Sequence, residues 1–194
     1  MHTVKMSKVA GISMIELLIA LSITAVLTQL AITSYSSLQK RIRIYAATSE
    51  LHSGLLYTRS EALKYGGNVV ICRSANTQIE NPSCEGGTSD PATNSGWGDG
   101  WIVFHDRNAD GQVSIEDKIL RVQHKLFLNP TQGVILPSPN RRLIRFNAFG
   151  QVYGTYMQFT IGQVQTSGDV ENNRYICIAS GGRARVDRKN CSSR

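Results

Sequence analysis

The sequence predicts an α+β protein, with one long N-terminal helix packed on an antiparallel β-sheet domain. Three observations point there. Between residues 12 and 53 the chain has neither proline nor glycine, so nothing in that stretch interrupts a helix. Beyond Gly66-Gly67 the apolar residues change period, from helical spacing to short runs rich in β-branched and aromatic side chains. Segments rich in Gly, Pro, Asn and Asp separate those runs and supply the turns. A helix on an antiparallel sheet is the layered solution for that order of elements.

The bulk composition suits one domain plus an appendage: 194 residues, 41% hydrophobic and 18% charged. A formal net charge of +7 favours anionic partners such as nucleic acid, a membrane surface or acidic proteins.

The first element is the helix, expected over about residues 13–65. Residues 17–32 contain no charge, and the stretch 12–32 has about the 20 residues needed to cross a bilayer core. Lys5 and Lys8 precede it without an acid, which holds that end in the cytoplasm. The one carboxylate at its mouth is Glu16. A charge there disfavours insertion unless it finds a partner. Farther on, Leu38, Ile42 and Tyr45, then Leu51, Leu55, Thr58 and Ala62, fall at helical spacing and are expected to face the core. Gly66-Gly67 ends the helix.

Six strands are expected: 68–73 (NVVICR), 101–105 (WIVFH), 119–126, 143–147 (LIRFN), 157–161 (MQFTI) and 175–179 (YICIA). Turns are expected at 82–100, 108–111, 137–140, 148–150 and 167–173, with 74–99 a long polar surface loop. The four cysteines, Cys72, Cys84, Cys177 and Cys191, form no Cys-x-x-Cys pair and have no histidine at zinc spacing. Behind an export-type segment they read as two disulfides. Proximity favours Cys72–Cys84 and Cys177–Cys191, although sequence leaves the other connectivities open.

No catalytic constellation is present. His2, His52, His105 and His124 are scattered, and Gly181-Gly182 lacks the lysine and hydroxyl of a phosphate-cradling loop. An enzyme is not expected, and no cofactor. The segment 106–117 matches a calcium-loop pattern, with Asp106, Asn108 and Asp110 at positions 1, 3 and 5, Gly111 at 6 and Asp117 at 12. It lies between strands, and Asp117 is shorter than the usual Glu. A hairpin turn wants the same residues for backbone reasons and is the preferred reading.

The C-terminus is the most basic part. Residues 181–194 hold five cations (Arg183, Arg185, Arg188, Lys189, Arg194) and one acid, which supplies four of the seven net charges. Arg183 and Arg185 alternate as on a strand and point the same way. The preceding glycines let backbone amides approach a phosphate, and guanidinium groups bind phosphate through paired hydrogen bonds. A Cys177–Cys191 bridge would hold this loop in shape. A second basic cluster, Arg141, Arg142 and Arg145, reads as an ordinary solvent face of its strand.

The basic leader, Gly11, Ile12, Glu16 and the apolar run together resemble the signal of type IV pilins and of the pseudopilins of type II secretion. The run 50–64 (ELHSGLLYTRSEALK), the strand ending in Cys72 and the block 96–106 (GWGDGWIVFHD) narrow that to the GspH/FimT family, over nearly the whole chain. The resemblance implies a filament subunit. A prepilin peptidase would cut after Gly11, Ile12 (where the family usually has Phe) would become the methylated N-terminus, and Glu16 would pair with a neighbouring pilin during assembly. It implies a leader at 1–11, a transmembrane and assembly segment at 12–33, an amphipathic segment at 34–66 and a globular domain at 67–194. It also implies an anchor in the bacterial inner membrane, a periplasmic domain and incorporation into a pilus at the cell surface. Gly182-Arg183-Ala184-Arg185 matches the Gly-Arg-x-Arg motif of the DNA-binding FimT branch. This implies sequence-independent DNA contact by Gly182, Arg183 and Arg185, supported by Arg188 and Lys189, for natural transformation. The alternative is a purely structural minor pilin or secretion pseudopilin that primes or caps a filament.

Overall fold

The fold, obtained as a computed structural model, is described for residues 11–85, 90, 92–154, 156–164 and 170–191, without the side chains of 30–34 and 170–172. The expected leader positions 1–10, Arg194 and the 167–169 part of an expected turn lie outside the described residues. The chain divides after Lys40 into two compact units, and helix α1 (Met14–Tyr65) contributes to both.

In the first unit, the Ser13 carbonyl accepts the N–H groups of Glu16 and Leu17 and starts α1. The hydroxyls of Ser22, Thr24 and Thr28 donate to carbonyls one turn back, so these three are satisfied within the helix. Among the described residues no helix is long and apolar enough to cross a membrane. The expected apolar run continues into 30–34, whose side chains are outside the description.

The second unit is two antiparallel sheets. One has the order β3-β2-β1-β5, from β1 (Gly67–Arg73), β2 (Trp101–His105), β3 (Lys118–Gln123) and β5 (Leu143–Asn147). The other has the order β4-β6-β7-β8, from β4 (Val134–Ser138), β6 (Met157–Val164), β7 (Val170–Ile178) and β8 (Ala184–Asp187). Strands β4 and β8 were not expected, and β7 begins within the expected turn 167–173. The sheet domain is thus two sheets rather than one.

Alternation along β1 and β2 divides the apolar residues between two clusters. Val69, Ile71, Trp101 and Val103 join the main core with Phe146, Phe159, Ile161 and Ile176. Val70, Cys72, Ile102 and Phe104 form a second cluster with Cys84, and Cys72 and Cys84 are disulfide-bonded. The 74–99 loop is tied down at its start. Arg73 is buried, with its guanidinium 3.3 Å from Glu85, and the Glu85 N–H donates to the Arg73 carbonyl.

The face that α1 buries is Ile44, Ala47, Thr48, Leu51, Leu55, Thr58 and Ala62. Leu38, Ile42 and Tyr45, expected on that face, are exposed. At 3.6 residues per turn Ile44 lies in line with Leu51, whereas Tyr45 is about a third of a turn away, so the expected stripe joined two faces. Leu51→Ala is therefore expected to cost about 3 kcal/mol, through lost contacts and a cavity. Ile42→Ala is expected to leave urea unfolding unchanged.

Candidate nucleic-acid interface

Strands β7 and β8 pair with Cys177 opposite Arg185 and Ile178 opposite Ala184. The turn between them is closed by the Ala179 N–H donating to the Arg183 carbonyl (3.3 Å) and the Gly182 N–H donating to the Ala179 carbonyl (2.8 Å). Ala184 is buried, and Arg183 and Arg185 on either side of it are exposed. This is the alternation expected of a strand edge. Three links hold the segment. Cys177 and Cys191 form a disulfide, the Cys191 N–H donates to Gln158 Oε1 (2.9 Å), and His52 Nε2 of α1 donates to the Ala184 carbonyl (3.2 Å).

Arg183 and Arg185 line one cavity of about 230 Å³ together with Tyr156, Cys177 and Ala179. Burial pushes the Tyr156 hydroxyl pKa up, and the Arg185 guanidinium partly offsets that rise. Among the described residues no carboxylate pairs with either arginine. The arrangement is two guanidinium groups beside an aromatic ring on a cross-linked loop. It suits a phosphodiester with an adjoining flat base or sugar. Sequence reasoning missed Tyr156. Its only signal was its place directly before the run 157–161, which pairs with the strand leading into the arginines.

The other expected contact residues fall differently. Gly182 is buried, its N–H is engaged by Ala179, and a Cβ there would stand 1.9 Å from the Gly150 carbonyl oxygen. The glycine is needed for backbone packing, and its N–H is committed within the turn. Arg188 lines a separate cavity of about 290 Å³ with Arg41, Ile44, Tyr45, Asn173 and Arg174, where Arg174 donates to the Tyr45 hydroxyl and lies over its ring. Arg188 is thus not brought together with Arg183 and Arg185. Lys189 is exposed, and its N–H donates to Asp187 Oδ1. In the second basic cluster, Arg145 pairs with Asp106 at 2.6 Å and Arg141 donates to the Tyr153 carbonyl at 3.4 Å. These two arginines are engaged within the domain.

The 106–117 loop joins β2 to β3. One carboxylate oxygen from each of Asp106, Asp110 and Asp117 lies within 4.8 Å of the others. Asp106 is fully buried; its Oδ2 accepts from the Gly111 N–H and from Arg145, while its Oδ1 has no hydrogen-bond partner among the described residues. Asn108 Oδ1 accepts from the Asp110 N–H, and Asp110 Oδ1 from the Gln112 N–H. For Asp117, burial pushes the pKa up, but hydrogen bonds from Ser114 and Arg107, with the nearby His105, bring it below the usual value. His105 itself is stacked on Tyr65 with ring centroids 4.7 Å apart.

At the other end, Gly11 and Ile12 are exposed and precede the first helical turn, and Glu16 is exposed within it.

A family model described as Type II transport protein GspH matches residues 47–182. No curated protein matches the chain. Two crystal forms of the type IV minor pilin FimU from Pseudomonas aeruginosa are similar in structure. One is 23% identical with a TM-score of 0.54, covering 76% of this chain and 90% of that one. The other is 22% identical with a TM-score of 0.52, covering 74% and 91%. At that identity the likeness speaks for the fold.

Proposed function

The chain belongs to the GspH family, and from that premise we propose that it is a minor type IV pilin that binds DNA without regard to sequence, for uptake in natural transformation. One observation carries the DNA reading: Arg183 and Arg185 line a single cavity beside Tyr156, on a disulfide-closed loop. Phosphates supply the attraction, and few side chains there could read base edges. In this reading prepilin peptidase cuts between Gly11 and Ile12, Ile12 is methylated, and Glu16 pairs with a neighbouring pilin. The helix anchors the subunit in the inner membrane before assembly, with the globular part periplasmic.

The test is DNA binding by the full-length chain in detergent, over a salt series. Affinity is expected to fall with a log–log slope of roughly 2 to 4, at about 0.9 per neutralised duplex phosphate. The R183Q/R185Q double variant is expected to lose about two units of that slope and nearly all binding, with unchanged thermal unfolding. Wild-type binding by that variant would overturn the assignment to this loop.

The family's own description as type II transport favours a second reading, a structural pseudopilin of a secretion filament. That reading expects no DNA binding by the wild type at low salt, and loss of secretion or piliation on deletion.

A further inference from the structure

The loop between β2 and β3 has no part in the function proposed above. We propose that Asp106, Asn108, Asp110 and Asp117 bind one Ca²⁺ ion. Calcium takes oxygen ligands at about 2.3–2.6 Å, so oxygens up to about 5 Å apart can share an ion. The three carboxylates each present an oxygen within 4.8 Å of the others. The spacing adds Asn108 at the third place of the loop and the Gln112 carbonyl at the seventh, positions from which twelve-residue calcium loops draw oxygen ligands.

The decisive atom is Asp106 Oδ1. Its residue is fully buried, yet this oxygen has no hydrogen-bond partner among the described residues. A carboxylate oxygen taken from water without a donor is costly, and a hard cation is the partner that would remove that cost. The other oxygen, Oδ2, is occupied by the Gly111 N–H and the Arg145 guanidinium, which leaves Oδ1 for the ion. Arg145 also donates to the Ala109 carbonyl, so it braces the turn. Three carboxylates against that one paired guanidinium leave a local charge near −2, which a divalent ion balances. Asp110 is exposed and gives the ion a way in, while Asp117 is partly buried. A hairpin turn alone accounts for the Asn, Asp and Gly; it does not account for a buried carboxylate oxygen without a donor beside two further carboxylates.

The test uses the full-length chain in detergent, stripped with a chelator and titrated with CaCl2 by calorimetry and thermal unfolding. One Ca²⁺ per chain is expected, with Kd about 10⁻⁴ to 10⁻³ M, the range of extracellular calcium modules. At about 10 mM Ca²⁺ the Tm should rise by roughly 3 to 8 °C, and by less in the same Mg²⁺. D110N keeps the size of an exposed residue and its acceptance from the Gln112 N–H, and gives up only the exposed contact from Asn108 Nδ2. It should weaken Ca²⁺ binding about tenfold or more while leaving the Tm in chelator unchanged. D117N is expected to behave likewise for Ca²⁺. Absence of both heat and a Tm shift in folded wild type overturns the site. So does wild-type Ca²⁺ affinity in D110N, or an equal response to Mg²⁺.

Discussion

Gly182→Ala is expected to destabilise the domain by about 4 kcal/mol and lower the Tm by roughly 10 °C. Gly182 has φ +72°, a conformation that costs an L-residue about 1–2 kcal/mol. The added methyl would also stand 1.9 Å from the Gly150 carbonyl oxygen and 3.0 Å from its carbon. That obstacle is backbone, not a side chain that can swing aside. One of the two chains must move, and either movement disturbs a pairing. The Gly182 N–H is bound to Ala179, and the segment around Gly150 is held by Asn147, which accepts from the N–H groups of Phe149 and Gln151. Gly181→Ala is the control. A Cβ there meets nothing within 4 Å, so thermal unfolding should not change. If both glycines tolerated alanine, the packing role of Gly182 would be wrong.

Trp97→Ala is expected to cost about 4 kcal/mol, a large share of the ~5–15 kcal/mol that holds a domain together. Trp97 is fully buried. Its ring meets Phe159 of β6 edge-on, with centroids 5.0 Å apart, and its Nε1 donates at 3.0 Å to the carbonyl of Arg141, just ahead of β5. Removal opens a cavity and leaves that carbonyl without its donor. Trp97→Phe separates the two effects. It retains most of the ring contact and loses the hydrogen bond, so about 1–2 kcal/mol is expected in urea unfolding. Equal losses in the two variants would show that the hydrogen bond, not the packing, is what Trp97 contributes.

The parts of the fold legible in the sequence were those where local pattern and burial agree. Helix α1 ends within a residue of its expectation because Gly66 and Gly67 both take positive φ. Strands β1 and β2 were legible because both their faces are largely apolar, and β5 because its buried Ile144 and Phe146 alternate with more exposed residues. The two missed strands, β4 and β8, are the edges of one sheet. An edge strand tolerates the Pro137 of β4 and the charges of β8, the very residues that made both segments read as turn or tail.

At the candidate site, sequence marked the two arginines and the cross-link around them. The division of labour among their neighbours was not legible. The packing role of Gly182 was not legible, because closeness to a phosphate and closeness to a carbonyl select the same residue. Arg188 is only three residues from Arg185, yet it lines another cavity with α1 residues that no local spacing could associate with it. Tyr156 directly precedes β6 and reaches the arginines only through the pairing of β6 with β7.

The Cys177–Cys191 bond has a mechanical consequence. If the subunit binds DNA as proposed, tension on that DNA loads the segment that holds it. Strand β8 is a short edge strand, paired with β7 among the described residues, and hydrogen bonds of that kind peel apart one after another under load. Because Arg183 and Arg185 lie inside the covalent ring, a pull on either reaches β7 along two covalent paths, through the turn and through the sulfur bridge. Peeling β8 could then release only the slack of the ring formed by residues 177–191, after which the force bears on β7, a long strand still paired with β6. Under reducing conditions the same pull would act on an open tail. The rupture force measured between the subunit and tethered DNA is therefore expected to fall on reduction, even where the affinity at rest does not.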